Sequence, residues 1–524
     1  MDQSAARQFF LQPKLTFQRQ YEALRAHFVD GQSLDQVAQR FGYQSSALRS
    51  MASRFRTACR RGNAAPFFSL TDADAPPALA FTRLNHVPSP QIADRRELNL
   101  ASGRTLRSRV ADVFLFLPLL TRLGFDRIVN DALYPGSERV PAPSALLSLL
   151  ALKLLDKERR SHIDDFNCDE ALGLFAGLNI LPKKSFATDY SYRTSRDQQW
   201  SLLQGWVKAL APVMFPNADS FALDFHPIPF RGDPALLDRH YLPTGGKAAP
   251  SVLTFFALEQ DSRCFCYANA DLTRDDQSGE VLRFVEFWRG ITGSDPKWLC
   301  FDSKVTAYPE LSRLNQRRIR FVTIRRRGTA ILNRLERQSA SVWKEAVIDI
   351  PKRSHTQIRY FEETVRLRGY EGAVRQIAVT GLGRDRPTLL LTNEFGETPR
   401  ELIIRYAGRN RIEGGLGVGV NFFHLDCLAS EVRVNVDLDT ALTVVANGCY
   451  RWLASRLKGC EKCDPKQLFR RFVETAGTVR IESERLEVTF DRRSHNPILR
   501  AAGLERDSAP IDWLGRRTIE FSFH

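Results

Sequence analysis

Three acidic residues sit where a carboxylate cage for divalent metal could be assembled. Asp224 lies inside Phe221-Ala222-Leu223-Asp224-Phe225, and Asp302 ends Trp298-Leu299-Cys300-Phe301-Asp302. Glu413 closes the phrase Arg405-Tyr406-Ala407-Gly408-Arg409-Asn410-Arg411-Ile412-Glu413. Both aspartates interrupt apolar, strand-like runs. Desolvating a carboxylate costs several kcal/mol unless something pairs it, so such positions are expensive unless used. Two aspartates and a glutamate from separate elements are the hard oxygen donors that Mg²⁺ accepts, and the metal completes its shell with water and substrate phosphate. Two such ions ~4 Å apart can activate an attacking oxygen and stabilise a leaving one during phosphodiester displacement. Glu394, Glu397 and Glu401 are rival third acids, but they lack the Tyr406/Arg409 frame.

The elements that must position these acids follow from periodicity. From about residue 218 the sequence carries apolar, β-branched and aromatic runs at 221–225, 252–258, 264–268, 298–301 and 320–324, with a helical stretch at 279–288. Three adjoining strands, a crossover helix and a fourth strand predict an α/β, ribonuclease-H-like core in which the first strand is central and the fourth lies parallel beside it. Residues 330–397 read as a β-rich insertion, 398–460 as the second part of the core carrying Glu413, and 461–524 as a C-terminal region with a β-hairpin. Upstream, 106–217 has helical period and 62–105 is a proline-punctuated linker.

Residues 1–61 read as a helix-turn-helix DNA-binding module. Ser33-Leu34-Asp35-Gln36 is a capping box. Val37, Ala38, Phe41, Leu48 and Met51 supply the buried face, and Gly42 the left-handed turn. The second helix offers Gln44, Ser45, Arg49, Ser50 and Arg54 to bases or phosphates.

Net charge is +15, spread along the chain in clusters such as Arg317-Arg318, Arg325-Arg326-Arg327 and Arg492-Arg493. A polyanionic partner, with nucleic acid the commonest, explains that excess. Arg325, Arg326 and Arg327 follow the 320–324 strand and are candidates to line a DNA path; Lys304, just past Asp302, is a candidate phosphate contact. His226 shares the strand face of Asp224 and reads as a structural histidine. The nine cysteines have no framework spacing, which points to a reducing cytoplasm. Cys460-Glu461-Lys462-Cys463 stands without the second pair a zinc site needs. No secretory leader is legible, and the apolar stretch 110–125 is too short and too polar to span a bilayer, so no membrane partner is expected.

The spacing of Tyr406, Arg409 and Glu413 resembles the signature Tyr-x2-Arg-x3-Glu-x6-Lys of bacterial insertion-sequence DDE transposases, the branch with a β insertion before the catalytic glutamate. The resemblance covers roughly residues 218–450. It implies metal-assisted DNA cleavage at the ends of a mobile element and strand transfer to target DNA. It implies Asp224, Asp302 and Glu413 as catalytic ligands of two Mg²⁺ ions (Mn²⁺ a substitute), and Tyr406 and Arg409 as DNA contacts near the scissile phosphate. It also implies double-stranded DNA as partner and a homodimer on paired ends. One departure is visible: the signature lysine falls at Val420, and Gly414-Gly415-Leu416-Gly417-Val418-Gly419 is glycine-rich, which weakens a helix by ~1 kcal/mol per glycine. A non-catalytic DNA-binding descendant and a ribonuclease-H-like nuclease without strand transfer are the alternatives.

Overall fold

The computed structural model describes residues 16–60, 98–229, 238–242, 246–350, 356–383, 386–427 and 433–523. Most of the predicted linker, residues 62–97, lies outside the described residues. The chain divides into two compact units, Met1–Gln91 and Ile92–His524.

The first unit contains α1 (Thr16–Phe28), α2 (Leu34–Phe41) and α3 (Ser45–Arg60). Ser33 caps α2: its Oγ accepts from the Gln36 amide, and the Gln36 side chain accepts from the Ser33 amide at 3.1 Å. Gly42 ends the helix at φ 66°, a left-handed conformation open to a residue without Cβ. Ala23, Ala26, Val37, Ala38, Phe41 and Leu48 close the small core. Gln44, Arg49, Ser50 and Arg54 are exposed, Ser45 is half-buried, and Arg49 pairs with Asp35 at 3.3 Å.

The second unit is mixed α/β. Its helical part includes α4 (Ala142–Leu154), apolar on every side and buried throughout, and the amphipathic α5 (Arg196–Met214), opened by a Ser195/Gln198 capping box. A small sheet has the order β1-β12-β13-β14: β1 (Thr105–Ser108), β12 (Gly477–Ile481), β13 (Arg485–Phe490) and β14 (Thr518–Phe523). The predicted hairpin is thus the middle of a four-stranded sheet. Its β1 begins inside the stretch read as linker, which is packed from residue 98 onward: Leu98 and Leu100 lie against the core, and Gly103 donates to the Ile481 carbonyl at 2.8 Å.

The large sheet has ten strands. It runs β3 (Arg239–Leu242), β4 (Lys247–Glu259), β2 (Ser220–Pro229), β6 (Trp298–Phe301), β7 (Arg320–Ile324), β11 (Thr388–Thr392), β10 (Val374–Thr380), β9 (Gln357–Val365), β8 (Lys344–Val347), with β5 (Cys264–Leu272) also on β4. β2 pairs antiparallel with β4 and parallel with β6. Helix α6 (Glu280–Thr292) makes the crossover from β5 to β6. Both faces of the parallel pair are covered, which is why these strands read as continuous apolar runs rather than alternating ones.

The β-rich insertion is not a separate lobe. β11 pairs antiparallel with β7, so β8–β11 continue the same sheet outward. Without them the outer edge of β7 would leave a row of unpaired amides and carbonyls. Its core joins Val322 and Trp298 of the inner strands to Ile358, Ile377, Val379 and Leu390 of the outer ones. Helices α7 (Pro399–Ala407), α8 (Asn410–Asn421) and α9 (Arg433–Arg456) follow, and α9 lies across β5. Among the described residues no helix is long and apolar enough to cross a membrane.

Candidate active site

The register of the central parallel pair places the two aspartates. Leu223 is the Cα partner of Phe301, so Asp224 and Asp302 are the next residues on adjacent strands. Parallel neighbours lie ~4.8 Å apart, which sets these two carboxylates side by side at the carboxyl end of the pair. In open α/β sheets that end is where ligands bind.

Glu413 arrives from α8, whose glycines make the approach possible. The segment is a regular helix over Asn410–Asn421 despite them. A Cβ on Gly415 would stand 2.8 Å from Leu258 Cδ1 on β4, and one on Gly408 would stand 3.0 Å from the Arg405 carbonyl. Gly415 therefore lets the helix lie close against the sheet. Arg411 fastens it there, donating to the Gln260 carbonyl at 2.7 Å. Gly414 and Gly417 face open space.

Arg409 ties the acids together. Its Nη1 donates to Asp224 Oδ2 at 2.8 Å and its Nη2 donates to Glu413 Oε1. Its side chain is only 11% exposed, against 53% for Glu413. The Arg409 Nε and the Tyr406 hydroxyl are buried without a hydrogen-bond partner among the described residues. Asp224 Oδ1 accepts from the Phe225 amide at 2.9 Å, and Asp302 Oδ1 from the Ser303 amide at 2.5 Å.

The electrostatics record the crowding. Burial raises the Asp224 carboxyl above its ordinary pKa; Arg409 and the Phe225 amide pull it back, while Asp302 and Glu413 push it further up. Burial also pushes the Tyr406 phenol upward. For Arg409, burial works against the charge, but Tyr406 and the three carboxylates outweigh it and raise the guanidinium's pKa. Asp302 and Glu413 each register on Asp224, Tyr406 and Arg409, so the three acids share one electrostatic environment.

Asp302 and Glu413 line a cleft of about 690 Å³ together with Arg325, Arg326, Arg327, Tyr406 and Arg409, and Asp224 adjoins it through its bond to Arg409. The donor set is hard oxygen and suits Mg²⁺ in kind. As placed, no three His, Cys, Asp or Glu side chains among the described residues are close enough together to form a metal-ligand group. The Arg409 guanidinium lies between the carboxylates that would make one.

Of the sequence-predicted residues, Asp224, Asp302, Glu413, Tyr406, Arg409 and Arg325–Arg327 meet here. Arg49 and Arg54 belong to the other unit. Arg325 donates to Gln376 Oε1 at 2.6 Å, Arg327 reaches the Arg386 and Pro387 carbonyls at 3.4 Å, and Arg326 is exposed without a polar partner among the described residues. The rival glutamates are engaged elsewhere: Glu394 with Arg320, Glu397 with Arg405, and Glu401 in the cap of α7. His226 bonds through Nε2 to Asp426 at 2.7 Å. Lys304 is exposed. Sequence reasoning missed Arg386, which lines the cleft from the turn before β11; a single arginine in a turn carries no pattern.

No protein-family model matches the chain, and no curated protein matches it. Among solved structures it is similar to a cryo-EM structure of the piggyBac transposase synaptic complex with hairpin DNA, at 10% identity and a TM-score of 0.41, covering 71% of this chain and 82% of that one. A likeness that low carries neither fold nor activity across.

Proposed function

We propose that the chain is a DNA transposase with a ribonuclease-H-like core. The observation that carries the reading is the meeting of Asp224, Asp302 and Glu413 at the carboxyl end of β2 and β6, around one buried arginine. The order β5-β4-β2-β6, with a crossover helix into a parallel strand, supports the core assignment. Asp224, Asp302 and Glu413 would hold two Mg²⁺ ions, with Mn²⁺ a substitute, once Arg409 swings off two of them. Bound metal supplies activation of the attacking oxygen and neutralisation of the leaving one.

The chain's own residues do the rest. Arg409, released from the carboxylates, has a planar fork matched to a phosphate, and Tyr406 adds a hydroxyl donor beside it. Arg325, Arg326 and Arg327 extend positive charge along the cleft for the DNA backbone. Arg49 and Arg54 of the first unit contact duplex in the manner of a helix-turn-helix. Hydrolysis breaks the P–O3′ bond, leaving a 3′-hydroxyl and a 5′-phosphate. The 3′-hydroxyl then attacks a target phosphodiester and displaces its 3′-oxygen. Joining two ends at one target calls for a homodimer.

The test is a plasmid carrying the DNA that flanks the gene, incubated with purified chain and Mg²⁺. Nicked ends and joined products are expected, both absent with Asp224→Asn or with EDTA. Binding without nicking would favour a non-catalytic DNA-binding protein, and nicking without joining a nuclease.

A further inference from the structure

Away from the acid cleft, many arginines of the second unit are matched to carboxylates, as Arg283 is to Glu280 and Arg334 to Glu363. One surface gathers several cations that are not. It starts at the β4–β5 turn, which α8 grips through Arg411, and continues into the loop after α9. Arg451 of α9 welds the two: its Nε donates to the Ser262 carbonyl at 2.9 Å, Nη1 to the Cys463 carbonyl at 2.9 Å, and Nη2 to the Glu461 carbonyl at 2.7 Å. An arginine that is 7% exposed and spends three bonds on carbonyls of two loops fixes their relation rigidly.

On that joined surface stand Arg263, Lys458, Lys462, Lys466 and Arg470. None forms a direct ion pair among the described residues, although backbone hydrogen bonds, helped by Lys462 and Lys458, lower the pKa of the Glu461 carboxyl; Lys458, Lys462 and Arg470 are exposed. Arg263 holds φ 58°, a conformation that costs an arginine and suits a glycine. Two nearby acids are tied to backbone: Glu461 Oε1 accepts from the Gly459 amide at 3.0 Å, and Asp464 Oδ1 caps the short helix Pro465–Leu468 from the Gln467 amide at 2.8 Å; a third, Asp261, pairs with Arg411 at 3.4 Å. Flexible point charges spread over a welded surface fit a run of backbone phosphates rather than a caged small anion.

We infer that this surface is a second DNA-binding track, along which duplex leaving the acid cleft passes from Arg411 over the β4–β5 turn to the loop after α9. The inference rests on the DNA-processing reading of the cleft. It predicts a sequence-independent contribution to affinity that steepens the salt dependence.

The test uses the full chain and a mixed-sequence duplex of about 40 base pairs, with affinity measured across a salt series. Replacing Lys458, Lys462, Lys466 and Arg470 together by Gln is expected to weaken binding by about 10- to 100-fold and to lower the log–log salt slope by roughly 3. The matched control replaces Lys183, Lys184, Lys208 and Arg289 by Gln, four exposed cations elsewhere, and is expected to change the slope by less than about 1. Equal losses in the two variants, or none in the first, overturn the track while leaving the cleft reading intact. Failure of the unmutated chain to bind duplex even at low salt overturns both.

Discussion

Arg405 and Arg409 are one helical turn apart, and their surroundings could hardly differ more. Among the described residues Arg405 forms one ion pair, with Glu397, which it holds through Nε at 3.2 Å and Nη2 at 2.8 Å. Its guanidinium stacks 4.0 Å from the Trp298 ring centroid, and Arg320 covers the same ring at 4.9 Å. Charge and donors are matched, and the cluster pins α7 to β6. Arg409 instead faces three carboxylates, bridges two of them, leaves its Nε unpaired and opens on a cleft. A balanced ion pair is structural cement. An arginine outnumbered by acids is the arrangement that the proposed function would use, since such a cluster can exchange charge with a ligand.

The largest expected effect that would break this contrast is on cleavage. Asp302→Asn or Glu413→Gln should lower DNA nicking by about 10³-fold or more, the scale of losing a group that stabilises developing charge, whereas Glu397→Gln should leave nicking within about 3-fold. A nicking time course decides it; equal losses would erase the distinction. Next come the arginines themselves. Arg409→Lys should lower nicking by about 10²-fold with little change in unfolding midpoint. Arg405→Lys should do the reverse, losing about 1–2 kcal/mol as the bidentate pair and the stack are broken.

A subtler effect concerns pH. The folded-state pKa of Asp224 is raised, so the folded protein holds that proton more tightly than the unfolded chain does. The associated stability is present below the unfolded pKa and is lost as pH rises through the folded one. Asp224→Asn should therefore raise the unfolding midpoint at neutral pH while abolishing nicking, with the gain vanishing in acid. A destabilised Asp224→Asn protein at neutral pH would contradict the crowding inferred here. The smallest effects lie on α8: Gly414→Ala, facing open space, should stabilise by about 1 kcal/mol through helix propensity, while Gly415→Ala should cost about 1–3 kcal/mol by overpacking against Leu258. Denaturant melts of the two variants separate them.

Much of this was legible along the chain. Asp224 and Asp302 stood out because a charge inside an apolar strand is costly, and their pairing followed once β2 and β6 were taken as parallel. The Ser33 cap and the Gly42 turn were readable because capping is local. Other features had no local signal. β1 joins the C-terminal hairpin across hundreds of residues, β14 joins its other edge, and β11 seals the edge of β7 after a long excursion; such pairings depend on which edge is free. The glycines of α8 suggested a weak helix, but their use depends on Leu258 and Phe265, which arrive from another strand.

What the sequence determined by itself is the kind of chemistry available: three carboxylates able to offer hard oxygen, an arginine and tyrosine in fixed spacing, and a surplus of positive charge. Only the tertiary structure decided that Arg409 stands between the acids, and that Arg451 fuses two loops into one basic surface. Composition and periodicity set which groups are present and which face is buried. The partner of a charged group is set by the three-dimensional approach of distant segments, because Coulomb and hydrogen-bond energies depend on distance and burial rather than on order along the chain.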